Sequence, residues 1–458
     1  MTTLARTLGY RDLSLLIVGS VIGSGIFLVP GQVLRQVDGL VAPALLVWLV
    51  GGVLSLLGAL TYGELSARKP EAGGLYVYIR DCFGRFPAFM FGWTLFFVIS
   101  SGSMAALAVA FSTYLGAIVQ VSPVAAKAVS IAMIAVITLI NVWGTRQSAD
   151  LQNWTTAIKV GALVIMSAVL LWMGRGYEAS SAAMWPASVE RSIVTGFGLA
   201  MLGVLWAYEG WQYATYSAGE TLNPQRNFPR AFLLGTGVLI TVYLLANVAY
   251  LAALGPTPAS KTDSIAATSV ALVVGPAAAK LVALAILISI FSAANSTLLT
   301  APRVFYAMAS DGLFFRRLAE VHPRFGTPAF SIIASSIWAA LLAATGTFDQ
   351  LLTYVVFIGW IFYALAAACV FVYRKRAPEQ HIPYRVPGYP YTPLLFIIAA
   401  AALVANTIAA RPLDALVGLA IVMVGAPAYM VWRAGGRNAD AAAATKLAPT
   451  NPGRAGEA

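Results

Sequence analysis

Apolar stretches of roughly 20 residues, the length that crosses a bilayer as a helix, recur twelve times along the chain. They fall at about 13–34, 41–66, 86–117, 124–143, 154–174, 193–217, 230–254, 270–300, 329–346, 349–373, 391–410 and 413–432. This pattern predicts an all-α polytopic membrane protein of twelve transmembrane helices. The residues before the first span, with Arg6 and Arg11, lack the short apolar region and cleavage site of a secretory signal, so no processing is expected. The segment 434–458, rich in Ala, Gly, Asn and Pro, reads as a disordered cytoplasmic tail.

Two of the twelve stretches are poor continuous helices. Gly19-Ser-Val-Ile-Gly-Ser-Gly-Ile-Phe-Leu-Val-Pro-Gly31 carries four glycines, two serines and a proline inside the first span, and Gly and Pro both cost helix stability. A break is expected at Gly23-Ser24-Gly25. Trp206-Ala-Tyr-Glu-Gly-Trp211 places a carboxylate and a glycine in the middle of the sixth span. An acidic residue near the bilayer centre costs at least about 2.5 kcal/mol on insertion scales, so it faces a cavity or a partner. Lipid cannot satisfy the backbone groups that a break exposes, so a break predicts a binding site. Broken helices five spans apart point to an inverted repeat of spans 1–5 (13–174) and 6–10 (193–373), with spans 11–12 (391–432) added.

Composition supports the class. Of 458 residues 59% are hydrophobic and 10% charged, against roughly 25% charged in soluble domains. Cys82, Cys369, His322 and His381 are too few and scattered for a disulfide framework or a metal cluster, and no cofactor is implied. The net charge of +11 is a topology signal rather than a nucleic-acid footprint. With the N-terminus inside, 21 cations fall on the inner side, 7 on the outer side, and Lys159 lies within a span. That positive-inside bias places both termini in the cytoplasm of a plasma (inner) membrane.

The chemistry of paired breaks follows from the backbone. Freed N–H groups after Gly25 suit a carboxylate, and Ser24 could add a hydroxyl. Freed carbonyls near Ala207 and Tyr208, with Glu209 beside them, suit a cation. A zwitterionic amino acid needs both. Trp206 and Trp211 are candidate gates, with Tyr208 between them. Each has a plainer reading: Gly19 and Gly23 form a GxxxG packing pattern, the aromatic residues are ordinary core, and Glu209 could ion-pair with another helix. Lys159, about 8 Å inside a span that starts near Trp154, either snorkels to the headgroups or lodges its ammonium among the freed carbonyls in place of a sodium ion.

Gly23-Ser-Gly-Ile-Phe27, Tyr62-Gly-Glu-Leu65, Glu71-Ala-Gly-Gly-Leu-Tyr-Val-Tyr78, Trp206-Ala-Tyr-Glu-Gly-Trp211, Gly219-Glu-Thr-Leu-Asn-Pro224 and Asn295-Ser-Thr-Leu-Leu-Thr-Ala-Pro-Arg303 resemble the amino acid, polyamine and organocation (APC) superfamily. Within it they look most like the L-amino acid transporter family. The resemblance covers all twelve spans in order.

It implies a five-plus-five inverted-repeat core, alternating access, and an amino acid held between spans 1 and 6. Ile22, Gly23, Ser24 and Gly25 would take the carboxylate. Trp206, Ala207, Tyr208 and Glu209 would take the amino group and line the side-chain pocket. Lys159 would fill a sodium position, faced by span 8 through Ser289, Ser292 or Asn295.

Two departures are informative. Many members have a small residue in place of Glu209, and an acidic one often accompanies cationic substrates. Animal members pair with a glycoprotein through a cysteine in the loop after span 3, and the loop Gly116 to Pro123 has none. A monomer without a covalent partner is therefore expected.

The expected activity is sodium-independent amino acid transport, by exchange or proton coupling, without enzyme chemistry. A polyamine antiporter, and a channel or nutrient sensor, are the alternatives. No HExxH, GxSxG or GxxxxGK[ST] motif is present to suggest catalysis.

Overall fold

The computed structural model describes residues 4, 6–116, 118–178, 184–186, 188, 191–346, 348–377, 382–410 and 412–432. The tail expected to be disordered, His381 and parts of several loops lie outside them.

The first apolar stretch forms two half-helices, α1 (Tyr10–Val21) and α2 (Gly25–Gln36), bent by 44° at the break. Next come α3 (Val41–Arg68) and a short linker helix α4 (Leu75–Phe83). The third span runs through α5 (Arg85–Thr94), a π turn at Leu95–Ile99, and α6 (Ser100–Gly116). α7 (Pro123–Trp143) and α8 (Thr145–Met173) follow. The sixth stretch gives α9 (Arg191–Ala207), a break, and a 3-10 helix at Trp211–Glu220.

Beyond it lie α10 (Pro224–Leu254), the short α11 (Pro256–Lys261) and α12 (Ile265–Val273), then α13 (Pro276–Thr300) and α14 (Pro302–Ser310). α15 (Ala329–Thr345), α16 (Phe348–Arg376), α17 (Tyr391–Ala410) and α18 (Pro412–Met423) follow, and after a turn at Val424 the chain is helical again to Trp432. It is an all-helical bundle. Among the described residues ten helices are long and apolar enough to span a membrane, and the bent α1–α2 pair makes an eleventh. The ninth expected span, α15, is apolar but only 17 residues long, so the described helices do not by themselves establish twelve crossings.

Three expected boundaries move for identifiable reasons. The eighth span does not start at 270: Gly275, at φ +120°, separates α12 from α13, and Pro276 opens the new helix where its missing N–H costs nothing. The fifth helix begins at Thr145 rather than near 154, because its first two turns are polar yet helical. Lys159 therefore sits roughly 20 Å along the helix axis at 1.5 Å per residue. The sixth span continues as a 3-10 helix to Glu220 rather than ending at 217.

Polar side chains fix the helices around the broken pair. Glu64 on α3 is fully buried and accepts hydrogen bonds from Arg68 Nε (2.9 Å), Arg374 Nη2 (2.6 Å) and the Val386 N–H (2.7 Å). This joins α3, α16 and the segment leading into α17. Glu220 and Arg303, both buried, pair at 2.7 Å, and Arg303 Nη2 also donates to Thr145 Oγ1 at 2.7 Å. The 3-10 helix, α14 and α8 are thereby tied together.

Candidate functional site

The first break starts where Val21 ends α1: Ile22 turns to an extended conformation, and Ser24 caps α2 with its side chain making no cap bond. Four carbonyls around this break, those of Gly19, Val21, Ile22 and Gly23, are met by three side chains from other helices. Lys159 Nζ on α8 donates to Gly19 O and Ile22 O, both at 2.6 Å. Ser289 Oγ on α13 lies 3.0 Å from Ile22 O and 3.1 Å from Gly23 O. Tyr243 OH on α10 lies 3.1 Å from Val21 O and 2.9 Å from Ala207 O, so one hydroxyl reaches the carbonyls of both breaks.

At 1% exposure, Lys159 does not snorkel. Its ammonium occupies the place where a cation would neutralise the negative end of α1.

The second break lies at Tyr208–Gly210. Gly210 has φ +122°, a region that strains any residue with a Cβ. A Cβ there would also lie 2.8 Å from Ser20 O. A Cβ on Gly25 would lie 2.7 Å from the Ala207 Cα. The two breaks thus meet backbone to backbone at their edges, Gly25 against Ala207 and Gly210 against Ser20.

Between them is a small cavity of about 30 Å³, room for about two waters. It is lined by Ser20, Val21, Gly23, Ser24, Gly25, Ser103, Leu107, Trp206, Glu209, Tyr213, Ala293 and Thr297. The Ser24 hydroxyl is buried without a hydrogen-bond partner, and the Ser103 and Tyr213 hydroxyls, grouped with Glu209, add polar groups to the lining suited to a polar guest. Glu209, also buried, accepts from Gln212 Nε2 at 2.9 Å and from the Tyr363 hydroxyl on α16. It makes no ion pair among the described residues, unlike Glu64 and Glu220.

The residues singled out from sequence separate into two sets. Gly23, Ser24, Gly25, Trp206 and Glu209 line the cavity, whereas Ile22, Ala207, Lys159 and Ser289 are not in its lining and take part in the hydrogen bonds of the break carbonyls. Tyr208 and Trp211 turn away: Tyr208 packs on Trp48 and Tyr243, and Trp211 packs on Tyr62, Phe232 and Phe396. Ser292 bonds Thr155 Oγ1 at 2.9 Å, and Asn295 bonds Asn141, Ser148 and Gln152. Ser292 thus holds α13 to α8, and Asn295 holds it to α7 and α8, nearer the start of α8 than Lys159. Sequence reasoning missed Ser103, Thr297, Tyr213, Tyr243 and Tyr363. Tyrosines and small hydroxyls inside apolar spans carry no pattern that tells cavity from core.

Contacts on either side of the cavity hold the half-helices in place. Before α1, Leu8 and Thr221 form a β-bridge, and Thr7 N–H donates to Glu220 O at 2.8 Å. In the last turn of α2, Arg35 donates to Ser260 O at 2.8 Å and pairs with Asp263 at 2.7 Å.

Residues 8–428 match the model of the amino acid permease family. The serine/threonine exchanger SteT of Bacillus subtilis is 30% identical, over 93% of this chain and 96% of that protein. The human b(0,+)-type amino acid transporter 1 is 32% identical, over 90% of this chain and 84% of its own length. The human cystine/glutamate transporter is 29% identical, over 91% and 83%. With the family model spanning nearly the whole described chain and two broken helices meeting at a polar cavity, the chain belongs to the amino acid permease family of the APC superfamily and is an amino acid transporter.

Proposed function

We propose that this protein is a sodium-independent amino acid exchanger working by alternating access, with the substrate bound between the breaks of α1–α2 and α9. The observation that carries the reading is the Lys159 ammonium seated on Gly19 O and Ile22 O. A fixed cation there stands where a transported sodium ion would otherwise be needed. The substrate carboxylate meets the N–H groups of Gly23, Ser24 and Gly25 and the Ser24 hydroxyl, at the positive end of α2. Its amino group meets the carbonyls of the second break. Glu209, facing the cavity with no ion-pair partner among the described residues, favours substrates with a basic side chain. Because the cavity holds only about 30 Å³, loading requires α1 and the 3-10 helix to move outward on one side.

The same reading treats 13–174 and 193–373 as inverted halves. It places the termini in the cytoplasm, the protein in the plasma membrane, and the transport cycle in a single chain with no disulfide-linked partner. The exchange activity of SteT supports exchange over uniport.

The test is uptake of labelled amino acids into vesicles containing the purified protein, with and without internal amino acid, with and without sodium, and across a pH step. Exchange predicts uptake that depends on internal amino acid and ignores sodium. Uptake that requires sodium, or that a proton gradient drives into empty vesicles, overturns it.

A further inference from the structure

We propose that the groove between α1 and α8, at the N-terminal end of the bundle, binds a phospholipid headgroup carrying both a phosphate and a primary ammonium. Its volume is about 460 Å³, and Tyr10, Arg11, Asp12, Asp150, Asn153 and Trp154 are among its lining residues. Arg146, also in the lining, spans it, at 3.1 Å from Asp12 and 2.5 Å from Asp150.

Charge and hydrogen-bond satisfaction select the ligand. The groove holds two arginines, Arg11 and Arg146, and two aspartates, so it is formally neutral. Asp12 is saturated: it accepts from the Gly9 N–H (2.9 Å), Asn153 Nδ2 (2.6 Å) and Arg146. Asp150 is half-exposed, and only its Oδ1 is engaged by Arg146. Arg11 is exposed and has no ion-pair partner among the described residues. One free cation and one free carboxylate oxygen therefore face the same space.

A phosphate satisfies Arg11, and a primary ammonium satisfies Asp150. A choline headgroup has no N–H to donate, and a purely anionic headgroup would set its phosphate against Asp150 with nothing to offset it.

The surroundings suit a lipid. Trp154 is 72% exposed at the rim, with Tyr10 beside it, the aromatic pair favoured at a membrane interface. Further along α8, Ile158 and Ile165 are exposed on the same helix and offer an apolar track for an acyl chain. The walls of the groove are the half-helix that ends at the first break and the helix that carries Lys159. An occupant bridging them stabilises the arrangement in which α1 lies against α8.

The test uses the purified full chain in mixed micelles of phosphatidylcholine with a minor fraction of phosphatidylethanolamine, its mono- and dimethylated forms, or phosphatidylglycerol. Thermal unfolding and lipid retention in native mass spectrometry are read, neither of which depends on transport. Phosphatidylethanolamine is expected to raise the melting temperature and to be retained, with the effect falling at each methylation. Asp150→Asn and Arg11→Gln, at a half-exposed and an exposed position, should each lower that preference roughly threefold, the scale of an exposed ion pair. Equal stabilisation by phosphatidylglycerol, no preference in the wild type, or an unchanged preference in both variants overturns the proposal.

Discussion

At the scale of the residue, three side chains separate substrate binding from framework. Lys159 donates to two carbonyls of the first break, so Lys159→Ala leaves buried acceptors unsatisfied at about 1–3 kcal/mol. It should slow exchange more than it weakens substrate affinity, read as kcat against KM in vesicles; an unchanged rate would make Lys159 a packing residue. Glu209→Gln should reduce uptake of cationic amino acids by about tenfold, roughly the worth of one charge-assisted hydrogen bond, and neutral ones less. Equal losses would leave Glu209 as a partner of Gln212 and Tyr363 only. Ser24→Leu fills the cavity at its carboxylate side and should abolish uptake while the protein still reaches the membrane. Wild-type uptake by that variant would remove the carboxylate site.

At the scale of the element, the proposed site is built by helices that stop. The break in α1–α2 was legible because glycines, a serine and a proline crowd into an apolar stretch, and the break after α9 because a carboxylate and a glycine do. Their contact was not legible: Gly25 lies against Ala207, and Gly210 against Ser20, nearly two hundred residues away in sequence. Gly25→Val should therefore separate the two segments, lower stability by about 1–3 kcal/mol as overpacking does, and stop exchange. Thermal unfolding together with vesicle uptake checks this, and retained transport would show the contact to be slack. Tyr208 and Trp211 show the limit of motif reading. They sit inside the break motif, yet helical geometry turns them onto α3, α10 and α17 instead of the cavity.

At the scale of the whole molecule, buried ion pairs hold the framework around the broken helices. Glu64 accepts from two arginines and a backbone N–H with no exposure to solvent. Glu64→Gln leaves Arg68 and Arg374 short of charge and should destabilise by about 3–5 kcal/mol, as unpairing a buried charge does. The melting temperature should fall steeply, while substrate preference in the surviving protein stays that of the wild type. A shift in preference would place Glu64 in the transport path.

The sequence by itself determined the class, the order of the apolar helices, the two points at which they break and the charged residues that need an explanation. These follow from hydropathy over windows of about 20 residues and from local backbone cost, both properties of neighbours along the chain. Tertiary structure alone decided that Lys159 grips the first break, that Tyr243 joins the two breaks, that Ser289 rather than Ser292 or Asn295 reaches the break carbonyls, and that Glu209 has no ion-pair partner among the described residues. Those are contacts between helices far apart in sequence. In a chain whose spans are almost uniformly apolar, no periodicity records which face of a helix meets which neighbour.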